Sequence, residues 1–219
     1  MTARGPESGF EVLVVCTANI CRSPYAGLVL ARAVSSIAPG LVTVSSAGVS
    51  ARTGALACRS GLAPADGEAL AAHRARRLDA GALADADLVL VADRGHAVVA
   101  STVAPGVRSR LFTLRQAAAC AEVVRAALEG GSLPQGAPPL PPPTAPADRL
   151  RWWREELDAA RGLAPRDPTD PDEGDIPDPH ERGDVWHPQA RDLIDGAVAA
   201  LAASAAAVLA HPGPPPRRV

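Results

Sequence analysis

The sequence contains no lysine, and all 22 of its basic residues are arginine. Alanine is very abundant, so we attribute the missing lysine to codon bias and give it no functional weight. The net charge of −2 and the lack of a basic face give no reason to expect nucleic-acid binding. Nucleic acids are therefore not among the expected partners.

Cysteine is also scarce, and the four residues show neither the paired spacing of a disulfide framework nor that of a zinc site. Histidines and carboxylates show no metal-ligand spacing either, so we expect no metal and no other cofactor. Residues 1–9 lack the apolar core of a signal peptide, and the alanine-rich stretch near the C-terminus looks too interrupted to span a bilayer. We expect a cytoplasmic protein without a membrane partner.

One group of residues near the N-terminus has the pattern of a catalytic loop. An apolar run over 10–15 is followed by Cys16, five further residues and Arg22, and a helical pattern begins soon afterwards. We interpret the run as a buried strand and Pro24 as the first helical position, so the loop between them ends at a helix N-terminus. Such a terminus attracts anions, and a neighbouring guanidinium helps it to stabilise a thiolate.

The constellation predicts a phosphate-binding loop that carries its own nucleophile, Cys16. Arg22 supplies a planar fork that pairs with two oxygens of a phosphate group. Ser23 can hydrogen-bond the sulfur and stabilise it as a leaving group. The alternative is that Cys16 is only a small buried hydrophobic residue, and the order of strand, loop and helix disfavours it.

Strand and helix patterns alternate over the first half of the chain. The strand patterns cover residues 11–15, 42–45, 88–91 and 111–113, and the helical patterns cover 25–36, 65–73 and 95–101. This alternation predicts an α/β fold, a three-layer sandwich whose central parallel sheet has about four strands and carries helices on both faces. In such folds the ligand binds at the carboxyl ends of the strands, where the loop after Cys16 falls.

The segment 115–172 departs from this alternation. Helical patterns at 116–129 and 150–161 flank a proline-rich stretch, 130–146, which predicts an exposed, semi-rigid linker. We interpret the segment as a surface insertion within a single domain that covers residues 1–219.

An added lid or docking element is the alternative for this segment, because Trp152 and Trp153 lie in its second helical pattern; paired tryptophans can equally anchor a helix to the core. A long helix at 188–209 and a disordered tail at 212–219 complete the chain.

A cysteine-dependent phosphatase also needs a proton donor for the departing oxygen. Asp178 is our candidate, because prolines on both sides of it stiffen its loop. Asp175 and Asp184 are alternatives, since residues 167–184 include eight acidic side chains, most of which must be solvated. His73 has three possible roles: a general base, a metal ligand or a structural residue that forms a hydrogen bond.

Residues 12–27 closely resemble the signature of the low-molecular-weight protein tyrosine phosphatases, including Asn19, Ser23 and Pro24. Further matches follow in the family's order along the chain, at 46–48, at 73–76, at Asp93 and at the pair Asp178 and Pro179. The segment 115–172 is a departure that resembles an enlarged bacterial branch of the family.

The resemblance implies a role for several residues. Asn19 would brace the loop through side-chain hydrogen bonds, with Ser46 and His73 in the same network. Cys21 would capture oxidised Cys16 as a disulfide, and Asp178 becomes the general acid. The loop residues that would surround the phosphate are Thr17, Ala18, Asn19, Ile20, Cys21 and Ser23.

The expected activity is hydrolysis of phosphate monoesters through a phosphocysteine, with phosphotyrosine in proteins or small aryl phosphates as substrates. Two alternatives stay open. One is an arsenate reductase on the same fold, for which Cys58 and Cys120 look poorly placed as relay thiols. The other is a catalytically weak protein that binds phosphate or phosphoproteins.

Aromatic residues are few, and the family's aromatic substrate slot is missing from its usual places. His180 and Glu181 follow the Asp178–Pro179 pair, and no aromatic residue lies near Arg52. We therefore expect only a weak preference for phosphotyrosine, unless one of the three tryptophans rebuilds the slot. Those residues are Trp152, Trp153 and Trp186.

Overall fold

The computed structural model describes residues 9–58, 66, 68–129, 145–165, 174–182 and 185–211. The predicted tail and nearly all of the predicted proline-rich linker lie outside these residues, as does Asp184.

Four parallel strands form the central sheet: β1 (Phe10–Cys16), β2 (Val42–Gly48), β3 (Leu88–Val91) and β4 (Leu111–Thr113). Their order across the sheet is β2-β1-β3-β4, and each neighbouring pair is parallel. The bounds of β3 and β4 match the prediction, whereas β2 runs three residues further and ends with Gly48 opposite Cys16. The predicted α/β fold with a parallel sheet of about four strands is confirmed.

The described residues form seven α-helices: α1 (Arg22–Ile37), α2 (Ala80–Asp85), α3 (Arg94–Val103), α4 (Leu114–Glu129), α5 (Pro146–Ala159), α6 (Pro179–Arg182) and α7 (Trp186–Ala210). Helix α1 begins at Arg22, so the prediction that Pro24 is the first helical position is wrong. Proline fits the third position because the first four N–H groups of a helix have no partner within it. Helices α2 and α6 were not predicted, because they are too short to show a helical period.

The helix predicted over 65–73 is present at Asp66, where the carbonyl accepts the Leu70 N–H at 3.0 Å, but it does not continue over 68–73. Residues 68–72 form turns, in which Ala71 donates to the Glu68 carbonyl and His73 to the Leu70 carbonyl. The chain then becomes extended and hydrogen-bonds to the end of β2, where the Gly48 N–H donates to the Arg76 carbonyl at 3.0 Å. Tertiary contacts here override local helix propensity.

The sheet separates two apolar layers. On one face α1, α4, α5 and α7 cover strand residues such as Val12, Val14 and Leu90. On the other face α2 and α3 cover Leu13 and Val15. Alternate residues of β1 thus point to opposite layers, which confirms the predicted three-layer sandwich.

Trp152 and Trp153 belong to the first of these layers. Both side chains are buried, and the Trp153 indole Nε1 donates to Ser204 Oγ at 3.0 Å. They anchor α5 to α7, so the expectation that either one could rebuild a substrate slot is wrong.

By length and composition α7 could cross a membrane, because it contains a window of mean hydropathy 2.0. The expectation that this stretch is too interrupted to span a bilayer is therefore wrong by length and composition. The helix packs against α1 and α4 and buries Ile194, Val198 and Leu201. In this structure it is a core helix.

Candidate active site

The phosphate loop, residues 17–21, joins β1 to α1 at the carboxyl edge of the sheet. Strand β1 lies between β2 and β3 in the sheet. The connection that follows β1 leads to β2 on one side, whereas the connection that follows β3 leads to β4 on the other side, so the strand order reverses next to this loop. Ligands of open α/β sheets bind at such a point. Sequence order and topology therefore place the predicted nucleophile where the fold favours a ligand.

Gly48, at the end of β2, lies directly against the phosphate loop. A Cβ at this position would be 2.6 Å from the Thr17 carbonyl oxygen and 2.8 Å from the Asn19 nitrogen, closer than real Cβ atoms come. Glycine therefore allows β2 to support the loop. Three backbone hydrogen bonds add to this support: Val49 N–H to Cys16 O, Ser50 N–H to Thr17 O and Cys58 N–H to Ile20 O.

Cys16 is buried at the base of the loop, with its Sγ 3.0 Å from the Ser23 Oγ. The Asn19 Nδ2 donates to the same Ser23 oxygen at 2.9 Å. This bond occupies an acceptor position of Ser23, whose hydroxyl proton has two acceptors in reach, the Ala47 carbonyl at 3.3 Å and the Cys16 sulfur at 3.0 Å. Ser23 is thus placed to stabilise a Cys16 thiolate.

Asn19 is the centre of the loop's side-chain network. Its φ of 55° lies in the left-handed region, which asparagine tolerates better than most residues. Its Nδ2 also donates to Ser46 Oγ at 2.9 Å, and its Oδ1 accepts the Arg76 N–H at 2.9 Å. The His73 Nε2 donates to the Asn19 carbonyl at 2.7 Å. The structure therefore brings Ser46 and His73 to Asn19, and His73 acts there as a hydrogen-bond donor.

The buried guanidinium of Arg22 contacts the phosphate loop as well as residues that follow β3 and residues near Asp178. Its Nη1 donates to the Ile176 carbonyl at 2.9 Å and to Asp93 Oδ2 at 3.2 Å. Its Nη2 donates to Thr17 Oγ1 at 2.9 Å and to Asp178 Oδ2. These contacts fix the plane of the guanidinium beside the phosphate loop.

Asp178 comes from a distant part of the chain and lies against the same arginine. Its Oδ1 accepts the His180 N–H at 3.0 Å, while Oδ2 lies 3.5 Å from the Thr17 hydroxyl. Asp175 pairs instead with Arg94, at 3.1 Å from Nε. Of the predicted acid candidates with described positions, Asp178 is therefore the one at the loop.

His96 is a site residue that the sequence analysis missed. Its buried ring bridges two groups, with Nε2 2.9 Å from Thr17 Oγ1 and Nδ1 3.0 Å from Asp93 Oδ2. Asp93 also caps α3 by accepting the His96 backbone N–H at 2.9 Å. The spacing Asp-x-x-His after a buried strand is a helix-capping signal that could have indicated this pair.

Asp93 stays ionised at neutral pH although it is partly buried. Burial by itself would raise its pKa, but hydrogen bonds from the side chain and backbone of His96 and the charge of Arg22 outweigh burial. Together they lower the pKa of Asp93 to about 2. The Asp93 carboxylate, two residues after the end of β3, therefore presents a fixed negative charge to Arg22.

Cys21 points toward a second group of residues. Its sulfur and the ligand atoms of Cys58, His180 and His187 all lie within 4.8 Å of one another. The sequence spacing predicted no zinc pattern, because these residues come from four separate segments. The expectation that Cys58 is poorly placed as a relay thiol is wrong, since it lies close to Cys21, whereas Cys120 is a core residue of α4.

Burial, together with the neighbouring Cys58 and Cys16 thiols, raises the pKa of Cys21 to about 12. The Cys21 thiol is therefore protonated at neutral pH. All four cysteines of the chain are free.

The sequence matches a family model described as low molecular weight phosphotyrosine protein phosphatase over residues 11–123. The low molecular weight protein-tyrosine-phosphatase Wzb of Salmonella typhi is 35% identical over 104 residues, which make up 47% of this chain and 66% of the relative. This match spans just under two thirds of the relative's length. The family model covers Cys16, Arg22 and Asp93 but ends before Asp178.

Two solved structures resemble the fold over most of its length. The structure of Vibrio vulnificus Wzb in complex with benzylphosphonate is 23% identical with a TM-score of 0.55, and the match covers 88% of this chain and 97% of that one. The YwlE arginine phosphatase from Geobacillus stearothermophilus is 25% identical with a TM-score of 0.55, covering 88% and 90%. The fold beyond residue 123 is therefore similar to solved structures as well.

Proposed function

Because this chain belongs to the low molecular weight phosphotyrosine protein phosphatase family, whose members are cysteine-dependent enzymes, we propose that it hydrolyses phosphotyrosine in proteins. The observation that carries the proposal is the convergence of Cys16, Arg22 and Asp178 at the carboxyl end of β1. Small aryl phosphates contain the same reacting group and serve as probes.

In the first step the Cys16 thiolate attacks phosphorus in line with the ester oxygen. An S–P bond forms and the P–O bond to the tyrosine breaks. The amides of the phosphate loop and the Arg22 fork hold the three equatorial oxygens, whose charge shifts during the transfer. Asp178 gives its proton to the departing phenoxide, which leaves as neutral tyrosine.

In the second step the ionised Asp178 takes a proton from a water molecule. The oxygen of this water attacks the phosphorus of the phosphocysteine. The S–P bond breaks and inorganic phosphate is released. Cys16 leaves as a thiolate, and Ser23, whose Oγ lies 3.0 Å from the sulfur, donates a hydrogen bond to it. Asp178 regains its proton and the cycle closes without a cofactor.

Thr17, Asp93 and His96 support Arg22 in this scheme. The Thr17 hydroxyl accepts from Arg22 and lies within hydrogen-bond distance of the His96 ring, while Asp93 contacts both Arg22 and His96. This chain of contacts keeps the guanidinium oriented before the phosphate arrives. Orientation of this kind avoids reorganisation in the transition state.

Turnover of p-nitrophenyl phosphate by the purified, reduced protein tests the proposal. We expect hydrolysis without thioredoxin or arsenate, and a loss of at least about 10³-fold in Cys16→Ser, which keeps phosphate binding because the hydroxyl fills the same space. A Cys16→Ser variant that retains more than this would refute the role of Cys16.

The same experiment separates the two alternatives. Arsenate-dependent oxidation of thioredoxin without ester hydrolysis would identify a reductase, for which Cys21 and Cys58 lie close enough to relay the oxidising equivalents. Phosphate binding without turnover would identify a binding protein.

Substrate preference follows from the shape of the rim. Trp152 and Trp153 are buried in the core, which leaves half-buried Trp186, the tryptophan nearest to Asp178 in the sequence. Each missing aromatic contact should lower the preference for phosphotyrosine peptides over p-nitrophenyl phosphate by about 2- to 12-fold, so we expect that preference to be weak. A strong preference that survives in Trp186→Ala would refute this expectation.

We place the enzyme in the reducing cytoplasm. Its mechanism requires Cys16 as a free thiolate, and the structure has all four cysteines free. An oxidising compartment would instead favour disulfides among the neighbouring thiols.

A further inference from the structure

We infer that Cys21, Cys58, His180 and His187 form a zinc-binding site that joins the phosphate loop to the segment that follows Asp178. The four ligand atoms lie within 4.8 Å of one another, and the described residues offer no carboxylate in the same group. Two thiols and two imidazoles are a ligand set that suits zinc, whereas magnesium and calcium prefer oxygen ligands.

The geometry is close to that of a tetrahedral site. Zinc lies about 2.3 Å from thiolate sulfur and about 2.0–2.1 Å from imidazole nitrogen, so ligand atoms stand about 3.3–3.8 Å apart along the edges of the tetrahedron. The Cys58 Sγ and His187 Nε2 are already 3.7 Å apart. The remaining ligand atoms, all within 4.8 Å, need to close by no more than about 1.5 Å.

The two histidine rings are arranged so that both can face one ion. Their centroids are 5.2 Å apart and their planes are nearly perpendicular, at 89°. Cys21 and His187 are buried and Cys58 is half-buried, while His180 is exposed. An ion can therefore enter from the His180 side and reach the buried ligands.

The position of the site gives it a structural consequence. Cys21 belongs to the phosphate loop, and the Cys58 N–H donates to the Ile20 carbonyl of the same loop at 2.7 Å. His180 follows Asp178 by two residues, and His187 lies in the first turn of α7. A bound ion would cross-link these segments and hold the Asp178 carboxylate close to Arg22.

Cobalt is the direct probe, because a Co²⁺ ion in a tetrahedral thiolate site gives thiolate charge-transfer and strong visible bands. Metal-free protein kept reduced with a phosphine is titrated with Co²⁺, and Zn²⁺ is then added. We expect one equivalent of Co²⁺ to give the tetrahedral spectrum and Zn²⁺ to abolish it. This readout is independent of phosphatase activity, so the proposed function can fail without affecting it.

Four variants locate the ion. Cys58→Ser and the exposed His180→Ala should weaken Co²⁺ binding by at least about tenfold, the latter without disturbing the core. Cys16→Ser and His211→Ala leave the four ligands in place and should keep the wild-type spectrum. If Co²⁺ binding is lost in Cys16→Ser and retained in Cys58→Ser, the ion binds the nucleophile and the inference is wrong.

Thermal unfolding gives a second measure. At a free Zn²⁺ concentration of 100 times Kd, mass action should raise Tm of the wild type by roughly 5–10 °C, and the shift should vanish in His180→Ala. The inference is overturned if Zn²⁺ leaves Tm unchanged or if it stabilises His180→Ala as much as the wild type.

Discussion

The phosphate loop and the acid loop, residues 174–178, carry the two halves of the chemistry but are held in different ways. The phosphate loop is braced by neighbours from consecutive elements, including Gly48 at the end of β2 and the Asn19 network. The acid loop is tied to the sheet by Ile176, which is buried and donates its N–H to the Ala92 carbonyl at 2.7 Å. Arg22 also donates to the Ile176 carbonyl, and Asp175 of this loop pairs with Arg94.

This difference shows how the two loops are encoded. Strand, loop and helix follow one another directly around Cys16, so the local sequence specifies the phosphate loop. Asp178 stands 156 positions from Arg22, and the long-range contacts of Ile176 bring them together. The phosphate loop can therefore be recognised as a motif, whereas the acid loop depends on the completed fold.

The largest effect should come from the Asp178 carboxylate of the acid loop. We expect Asp178→Asn to lower kcat by about 10²- to 10⁴-fold on phenyl phosphate, because the leaving phenoxide loses its proton donor. The loss should shrink on p-nitrophenyl phosphate, whose leaving group needs less protonation.

Asp175→Asn is the matched control, because Asp175 lies in the same loop but pairs with Arg94. It should keep kcat close to that of the wild type. A larger loss in Asp175→Asn than in Asp178→Asn would show that the wrong carboxylate has been assigned.

The next effect concerns oxidation within the phosphate loop. We expect peroxide to convert Cys16 to a sulfenic acid, which condenses with the Cys21 thiol to a disulfide and releases water. In metal-free wild type dithiothreitol should restore most of the activity, whereas Cys21→Ala should be oxidised irreversibly and regain only a minor fraction.

Cys58→Ser is the control for this oxidation, and it should recover as the wild type does. If Cys21→Ala recovers fully, Cys21 serves only loop packing. If Cys58→Ser fails to recover, Cys58 is the thiol that captures Cys16.

The close packing of Gly48 against the phosphate loop can be tested by adding a methyl group at this position. Gly48→Ala should lower the free energy of unfolding by about 2–3 kcal/mol, because its Cβ would collide with backbone atoms of Thr17 and Asn19 that cannot move away cheaply. Urea denaturation measures the change.

Gly27→Ala is the control within helix α1. Its Cβ would meet its nearest neighbour, Val44 Cγ1, at 3.8 Å, so the free energy of unfolding should rise by about 0.5–1 kcal/mol. Equal effects at both positions would argue against a close approach at Gly48.

The smallest effect is the acid sensitivity of Asp93, which contacts the arginine shared by both loops. Its folded pKa of about 2 lies below the ordinary value of 3.8, so the ionised carboxylate stabilises the fold above about pH 4. This stability is lost as pH falls from 4 to 2. It amounts to about 2 kcal/mol, because one pKa unit corresponds to about 1.4 kcal/mol.

Urea unfolding between pH 5 and pH 2 should therefore show about 2 kcal/mol less acid-induced loss in Asp93→Asn than in the wild type. Asp79→Asn makes the same substitution at the cap of α2 and serves as the comparison. Parallel pH profiles for the wild type and Asp93→Asn would contradict the assignment.

The sequence predicted the parts of the molecule that have a local signal. The strands β3 and β4 were predicted to the residue, because continuous apolar runs bounded by polar residues mark buried parallel strands. Residues 68–72 did not form the predicted helix, because the following segment is held at Gly48 and Asn19 by contacts that no local pattern contains.

The candidate site divides in the same way. Cys16 and Arg22 follow from spacing within one motif. For His96 the one local signal was its spacing from the helix cap Asp93, and Cys58 and His187 had none, because each reaches the site through the folding of a separate element.

Helix α7 has a consequence for how the chain matures during synthesis. The phosphate loop leaves the ribosome early, but Asp178 follows Arg22 by 156 positions and α7 comes later still. Until α7 emerges, the faces of α1 and α4 that it covers have nothing to bury them. Long-range contacts of this kind slow folding and expose apolar surface to chaperones. A nascent chain therefore holds a complete phosphate-binding motif well before it can act on a phosphate ester.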